Sequence, residues 1–149
     1  TVPSLHEMRN ELTIFAASGF LAVILLPQID VVWLSEHITR LGLGAGVVLV
    51  AASWTLILLA LLTVNPLVTA SLVIETLVRL PNLEIAPTVI ALMVTLTWGL
   101  VGGFSPFSAS VRLTARGVNH AASDVGPKWN LPFTLCVVLL MDAALLTLV

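Results

Sequence analysis

The sequence predicts an all-α protein, a polytopic membrane helical bundle with one broken or re-entrant helix. Of its 149 residues, 58% are hydrophobic and only 9% are charged, whereas a soluble domain has about 25% charged residues. Several apolar runs approach the roughly 20 residues that a helix needs to cross a bilayer. One uncharged run, 85–111, is interrupted by Gly102-Gly103 and Ser105-Pro106, which predicts the break.

The first two predicted spans are uninterrupted apolar runs. Residues 12–29 contain no charge and follow a polar stretch that ends in Glu11. Residues 41–64 give 24 uncharged residues before Asn65-Pro66, the clearest span in the chain. Both runs match the length of a transmembrane helix.

The third predicted element is a shorter helix over 65–80 that begins at Asn65-Pro66 and contains Glu75 and Arg79. Asparagine caps helix starts, and proline favours the first helical turn. This helix either crosses the membrane or is re-entrant. Crossing is favoured because it places four of the six basic residues on one, cytoplasmic side; these are Arg9, Arg112, Arg116 and Lys128, with Arg40 and Arg79 opposite.

The fourth predicted span is the broken one, 85–103 followed by 105–116. Inside a bilayer, unpaired backbone groups cost several kcal/mol, so protein, water or a ligand must satisfy a break. We expect residues 102–108 to be non-helical and a new helix to begin at Ser105 or Pro106. Residues 119–128 are predicted to form a loop, and the last span is 131–149.

The spans are expected to form one transmembrane domain over 1–149, the C-terminal part of a longer permease. The chain does not begin with methionine and ends in apolar sequence, which favours a fragment whose first half is missing. Two GxxxG spacings, Gly42 to Gly46 and Gly99 to Gly103, allow helices to approach closely. Contact within the bundle is the simpler interpretation, and a homodimer is the alternative.

The predicted substrate-binding residues surround two helix starts. Each start places a capping residue before a proline, with hydroxyl residues on the following turn, and helix N-termini attract anions. If the two starts converge within about 10 Å, as half-helices do in many carriers, they form one site. The alternative is a pair of ordinary interfacial helix starts. The residues are Asn65, Thr69, Gly102, Gly103, Ser105 and Ser108.

Two carboxylates are predicted to couple ions to transport. Asp142 is 11 residues beyond Leu131, about 16 Å along a helix, and therefore near the middle of a bilayer. A carboxylate there is costly and should face protein or a cavity. A structural hydrogen bond to a neighbouring helix is the alternative. Glu75 either lines the permeation path or forms a structural ion pair with Arg79 at i, i+4.

Other functional classes have less support in the residues. Three isolated histidines and the single Cys136 do not have metal-ligand spacing, so we predict no metal and no cofactor. A net charge of −2 with scattered basic residues argues against nucleic acid. No GxGD, HExxH or Ser/His pairing accompanies the acidic residues, so we predict that the chain is not an enzyme.

The segment Gly102-Gly103-Phe104-Ser105-Pro106-Phe107-Ser108, together with Asn65-Pro66, resembles the C-terminal half of ion-transporter-superfamily permeases. These include arsenite, sodium/proton and dicarboxylate carriers. The resemblance covers 65–149 and lacks the Ser-Asn-Thr signature of the dicarboxylate branch. It implies an inverted-repeat carrier with elevator-type alternating access.

We therefore expect a secondary active transporter that moves a small ion or organic anion, coupled to protons or sodium. It is expected in the inner (cell) membrane of a bacterium as a multi-pass protein whose partners are the lipid bilayer and the missing first half of its own chain. One alternative is a non-catalytic scaffold or subunit of a larger complex. The second alternative is an intramembrane enzyme.

Overall fold

The described part of the chain consists of helices and short connections between them. A computed structural model describes residues 5–62, 64, 66–81 and 83–149, with the backbone alone at 5–12, 14, 15 and 148. No strand occurs among these described residues. The predicted all-α class is thus confirmed.

Within the described ranges, seven α-helices follow one another, with two shorter helical segments between them. A 3₁₀ turn, Leu26–Gln28, follows the first helix, and a π-helical segment, Asp124–Trp129, precedes the last. The α-helices are α1 Leu5–Leu25, α2 Val31–Arg40, α3 Ala45–Leu61, α4 Pro66–Arg79, α5 Pro87–Phe104, α6 Ala109–Val118 and α7 Leu131–Leu148.

The helix α2 is absent from the sequence prediction, and the span predicted to begin at residue 41 begins at Ala45 instead. Asp30 caps α2 by accepting a hydrogen bond from the Trp33 amide at 2.8 Å. Gly42 follows the helix with a φ of 64°, a conformation that glycine adopts readily at helix ends. These two local signals isolate a polar helix from the apolar run that follows.

The break in the fourth span occurs later than predicted. Helix α5 continues through both glycines to Phe104, and α6 begins only at Ala109, so the expectations of a non-helical 102–104 and of a restart at Ser105 or Pro106 are wrong. A glycine lowers helix stability by only about 1 kcal/mol, and the Ser105 amide still bonds the Val101 carbonyl at 2.8 Å.

The predicted loop over 119–128 is also partly wrong, because residues 124–129 form the π-helical segment. Pro127 has no N–H with which to continue a regular helix. Gly126 packs so closely that a Cβ there would lie 2.5 Å from the Phe104 carbonyl oxygen. The segment thereby packs against the end of α5.

Helix α3 is central, because it packs against α4, α5 and α7, while α1 packs on α4 at the periphery. One buried cluster joins the start of α3 to the end of α4 and the start of α5; it includes Leu49, Leu77 and Ile90. A second joins the ends of α3 and α5 to α7; it includes Ala60, Val101 and Val138. Consecutive helices α3, α4 and α5 are therefore antiparallel.

Large apolar side chains remain exposed on all seven α-helices; examples are Phe20, Val32, Leu58, Val78, Leu92, Leu113 and Leu140. By length and composition, the stretch Pro87–Val118 is suited to cross a membrane. The described residues contain a second candidate span if Ala16–Gln28 and Val31–Arg40 are counted together; these two helices are bent by 62° relative to each other. Ala45–Leu61 and Leu131–Thr147 are apolar but shorter.

Candidate functional site

A partly buried polar contact joins Trp54 of α3 to Asp142 of α7. The indole Nε1 of Trp54 donates a hydrogen bond to Oδ2 of Asp142 at 3.0 Å. The second carboxylate oxygen, Oδ1, is buried and has no hydrogen-bond partner. The carboxylate thus faces protein, as predicted, and keeps one acceptor atom available.

Close packing of α3 against α7 positions this pair. A Cβ on Gly46 would lie 2.8 Å from the Leu145 carbonyl oxygen, so only glycine permits this approach. The buried Val138 meets Ile57 and Ala60 further along α3. The two helices are therefore antiparallel, with Trp54 and Asp142 opposite each other near the middle of both.

The surroundings of Asp142 contain no second charge. The sequences of α3 and α5 contain no ionisable residue. The nearby hydroxyl groups bond to protein atoms: Ser53 to the Val50 carbonyl at 2.8 Å, and Thr97 to Met141 Sδ at 3.8 Å. The site is thus one carboxyl group and one indole in an apolar bundle.

Glu75, the other predicted ion-coupling residue, lies elsewhere. It forms an ion pair with Arg79 at 3.5 Å, and both side chains are about half exposed, at 53% and 54%. The pair lines a cleft of about 470 Å³ between α1 and α4. Among the described residues, no hydrogen bond or ion pair joins Glu75 to Asp142, so the structure does not bring the two predicted carboxylates together.

The break between α5 and α6 is satisfied by protein groups. Ser105 is 3% exposed; its Oγ donates to the Ala60 carbonyl and accepts from the Phe107 amide, each at 3.3 Å. Ser108 caps α6 by accepting from the Val111 amide at 3.3 Å, and it donates to the Gly102 carbonyl at 2.7 Å.

Two further side chains complete the hydrogen bonding of the break. Ser110 also donates to the Gly102 carbonyl. The Asn130 amide donates to the Gly103 carbonyl at 2.7 Å. The predicted substrate-binding residues of the break, Gly102, Gly103, Ser105 and Ser108, therefore form hydrogen bonds within the protein.

The two predicted helix starts do lie at the same end of the bundle. Pro66, which begins α4, lines one cavity of about 220 Å³ together with Ser105 and Ser108. Thr69 is buried, donates to the Pro66 carbonyl at 3.2 Å, and lines an adjacent smaller cavity. Asn65 lies outside the described residues. Because Ser105 contacts the last turn of α3, the break is level with the helix ends, not with the bundle middle.

Sequence reasoning missed two contributors. Trp54 lies near the middle of an apolar run, as Asp142 does, but nothing in the sequence links the two residues. Asn130 lies between the predicted loop, 119–128, and the last predicted span, and its bond to α5 depends on the π-helical segment.

That segment has its own ion pair. Lys128 forms a salt bridge with Asp124 at i, i+4. The hydrogen bond from Lys128, reinforced by its charge, lowers the pKa of the Asp124 carboxyl below its usual value. His120 packs edge-on against Trp129, with ring centroids 5.0 Å apart. These polar and aromatic groups form the same end of the bundle as the break.

Comparison with family models, with characterised proteins and with solved structures finds no significant match for this chain. The resemblance to ion-transporter permeases therefore stays a prediction from the residues alone.

Proposed function

We propose that the chain is part of a secondary active transporter, a multi-pass membrane protein that moves a small ion or organic anion by alternating access. The observation that carries the proposal is Asp142, a carboxyl group near the middle of an apolar helix, with one oxygen held by Trp54 and the other buried without a partner. Ionisable groups are costly in such surroundings and mark ion paths in membrane proteins.

The dimensions and surface support the membrane setting. Helices α3 and α7, with 17 and 18 residues, are about 25 and 27 Å long, close to the roughly 30 Å of a bilayer core. Lipid would cover the apolar side chains exposed on every α-helix. The antiparallel run of α3, α4 and α5 supports five crossings over a re-entrant α4.

The proposed substrate position is the cavity that the start of α4 shares with the break between α5 and α6. Pro66, Ser105 and Ser108 line it at one end of the bundle. Both serine hydroxyls donate hydrogen bonds to carbonyl groups of the protein. A substrate would replace these carbonyl groups as the hydrogen-bond partner of the serines when the break rearranges. Alternating access provides such a rearrangement.

Proton movement into proteoliposomes tests the proposal. The chain is reconstituted with a trapped pH-sensitive dye, and sodium chloride, sodium succinate or sodium arsenite is added outside. We expect one of these solutes to change the internal pH with the natural chain and not with Asp142→Asn, which is isosteric and still accepts from Trp54. The Asp124→Asn variant, outside the spans, is the matched control and should behave like the natural chain.

A second candidate function is a scaffold or assembly subunit, which one observation favours. Gly99 is exposed, and a Cβ on it would have no heavy atom within 4 Å; with Gly103 it lines a groove of about 300 Å³ between α5 and α7. Small residues on an open face let another helix approach. If no solute moves protons through a chain that keeps its fold, the scaffold function is favoured instead.

A further inference from the structure

We infer that the ion bound at Asp142 is a proton and not a sodium ion, and that Trp54 positions the carboxyl group. The inference rests on the proposed function and names its coupling ion. Trp54 donates to Oδ2 at 3.0 Å, and Oδ1 is buried and has no hydrogen-bond partner, so Oδ1 is the oxygen that we assign to the ligand.

The surroundings do not suit a metal cation. A hard cation needs a shell of several oxygen ligands. Around Asp142 the helices α3, α5 and α7 are unbroken, so their backbone carbonyl groups bond within the helices and are not gathered around Oδ1. Within the part of the chain that the structure describes, no group of three His, Cys, Asp or Glu side chains could hold a metal ion. The indole N–H also presents its positive hydrogen to the carboxylate, where a cation would have to bind.

A proton needs only one lone pair. Its binding to Oδ1 forms one O–H bond, breaks none, and converts the carboxylate into a neutral acid. The bond from Trp54 persists, because Oδ2 accepts in both states. Neutralisation removes a charge from an apolar bundle, where a charge without an opposite partner is unfavourable.

Few other groups can titrate near Asp142. No ionisable residue occurs on α3 or α5. On α7 itself Cys136 is exposed and lies about 9 Å away along the helix axis. In the π-helical segment Asp124 and Lys128 pair with each other, and this segment lies beyond Leu131, the start of α7, which is about 16 Å from Asp142 along the helix axis. A titration seen at Trp54 therefore reports Asp142.

Trp54 fluorescence provides the test. Trp33, Trp98 and Trp129 are replaced by phenylalanine, and the full chain is placed in lipid nanodiscs. We expect Trp54 emission to follow a one-proton transition with pH, to lose it in Asp142→Asn, and to keep it in Asp124→Asn. Replacing choline chloride by sodium chloride at constant pH should leave the emission unchanged.

Infrared difference spectra check the chemistry independently. The carbonyl band of a protonated carboxylic acid should appear over the same pH range and be absent in Asp142→Asn. In Trp54→Phe the band should remain but move in frequency, because the hydrogen bond from the indole to Oδ2 is gone; an unchanged frequency would contradict the positioning role of Trp54.

Two results would overturn the proton assignment. One is a sodium-dependent change in Trp54 emission that Asp142→Asn abolishes. The other is the absence of any pH transition in both fluorescence and infrared spectra. Proton binding without solute-driven proton movement would instead contradict the proposed transport function and leave the proton site intact.

Discussion

Asp142 shows what single residues in this sequence can and cannot predict. Its position within an apolar run was enough to predict a carboxyl group that faces protein, because lipid cannot solvate a charge. Its partner Trp54, 88 residues earlier in the chain, depends on the tertiary contact of α3 with α7. No local pattern encodes that pairing, so the site was half predictable.

Ser108 illustrates the same limit at the helix break. The sequence indicated a hydroxyl group at a restarting helix, where protein, water or a ligand must satisfy the local backbone, and Ser108 was among the predicted substrate-binding residues. The structure satisfies it internally, since Ser108 bonds to both the Gly102 carbonyl and the Val111 amide. A cap and a binding group have the same sequence pattern.

We expect Ser108→Ala to destabilise the chain by about 1 kcal/mol, because loss of an N-cap side chain typically costs that much. Thr114→Ala is the control; Thr114 is exposed and bonds only the Ser110 carbonyl of its own helix. Thermal unfolding in detergent, followed by circular dichroism, measures the difference. Equal melting temperatures for the two variants would contradict the capping role.

At the scale of elements, the helices were predictable where apolar runs are long and their ends have caps. The start of α4 at Pro66 and that of α7 at Leu131 agree with the prediction because proline marks both first turns. Helix α2 and the π-helical segment were missed. Both are polar, and the close contact of Gly126 with the Phe104 carbonyl is a tertiary constraint without a sequence signature.

The contact of α3 with α7 should depend on Gly46. In Gly46→Ala the new methyl group would lie 2.8 Å from the Leu145 carbonyl oxygen and 3.0 Å from the Leu146 Cα, both backbone atoms, so the helices must separate. We expect a loss of about 1–3 kcal/mol, as for other overpacked sites, and a weaker Trp54–Asp142 bond.

Gly99→Ala is the matched control for that substitution. Gly99 is also helical, but its Cβ would meet nothing within 4 Å, and alanine is the better helix former by about 1 kcal/mol. In Gly46→Ala the unfolding temperature should therefore fall and the Trp54 emission should change. In Gly99→Ala neither the unfolding temperature nor the emission should fall. If both variants lose stability equally, close packing at Gly46 is not the cause.

For the whole molecule, the all-α class could be predicted from the composition of the sequence. The arrangement of the helices could not, and it is known only from the structure. The antiparallel order of α3, α4 and α5 places the end of α3, the start of α4 and the break at one end. That order is what five crossings require, and it brings Pro66 and Ser105 to one cavity. A re-entrant α4 would instead separate them.

The five-crossing arrangement predicts opposite membrane sides for Arg116 and Arg79. Arg116 and Lys128 belong to the end with the break and should face the cytoplasm, because basic residues concentrate there. Arg79, at the other end of α4, should face outward.

Cysteines introduced as Arg116→Cys or Arg79→Cys, each with Cys136→Ser, test this prediction by labelling with a membrane-impermeant maleimide. Both native arginines are exposed, and the bilayer blocks the reagent. Only the cysteine at position 79 should therefore react in right-side-out vesicles. In inside-out vesicles only the cysteine at position 116 should react. Reaction of position 116 alone in right-side-out vesicles would mean that α4 is re-entrant, and reaction of both positions from the same side would mean that α5 does not cross. The shared cavity would then no longer support a transport pathway.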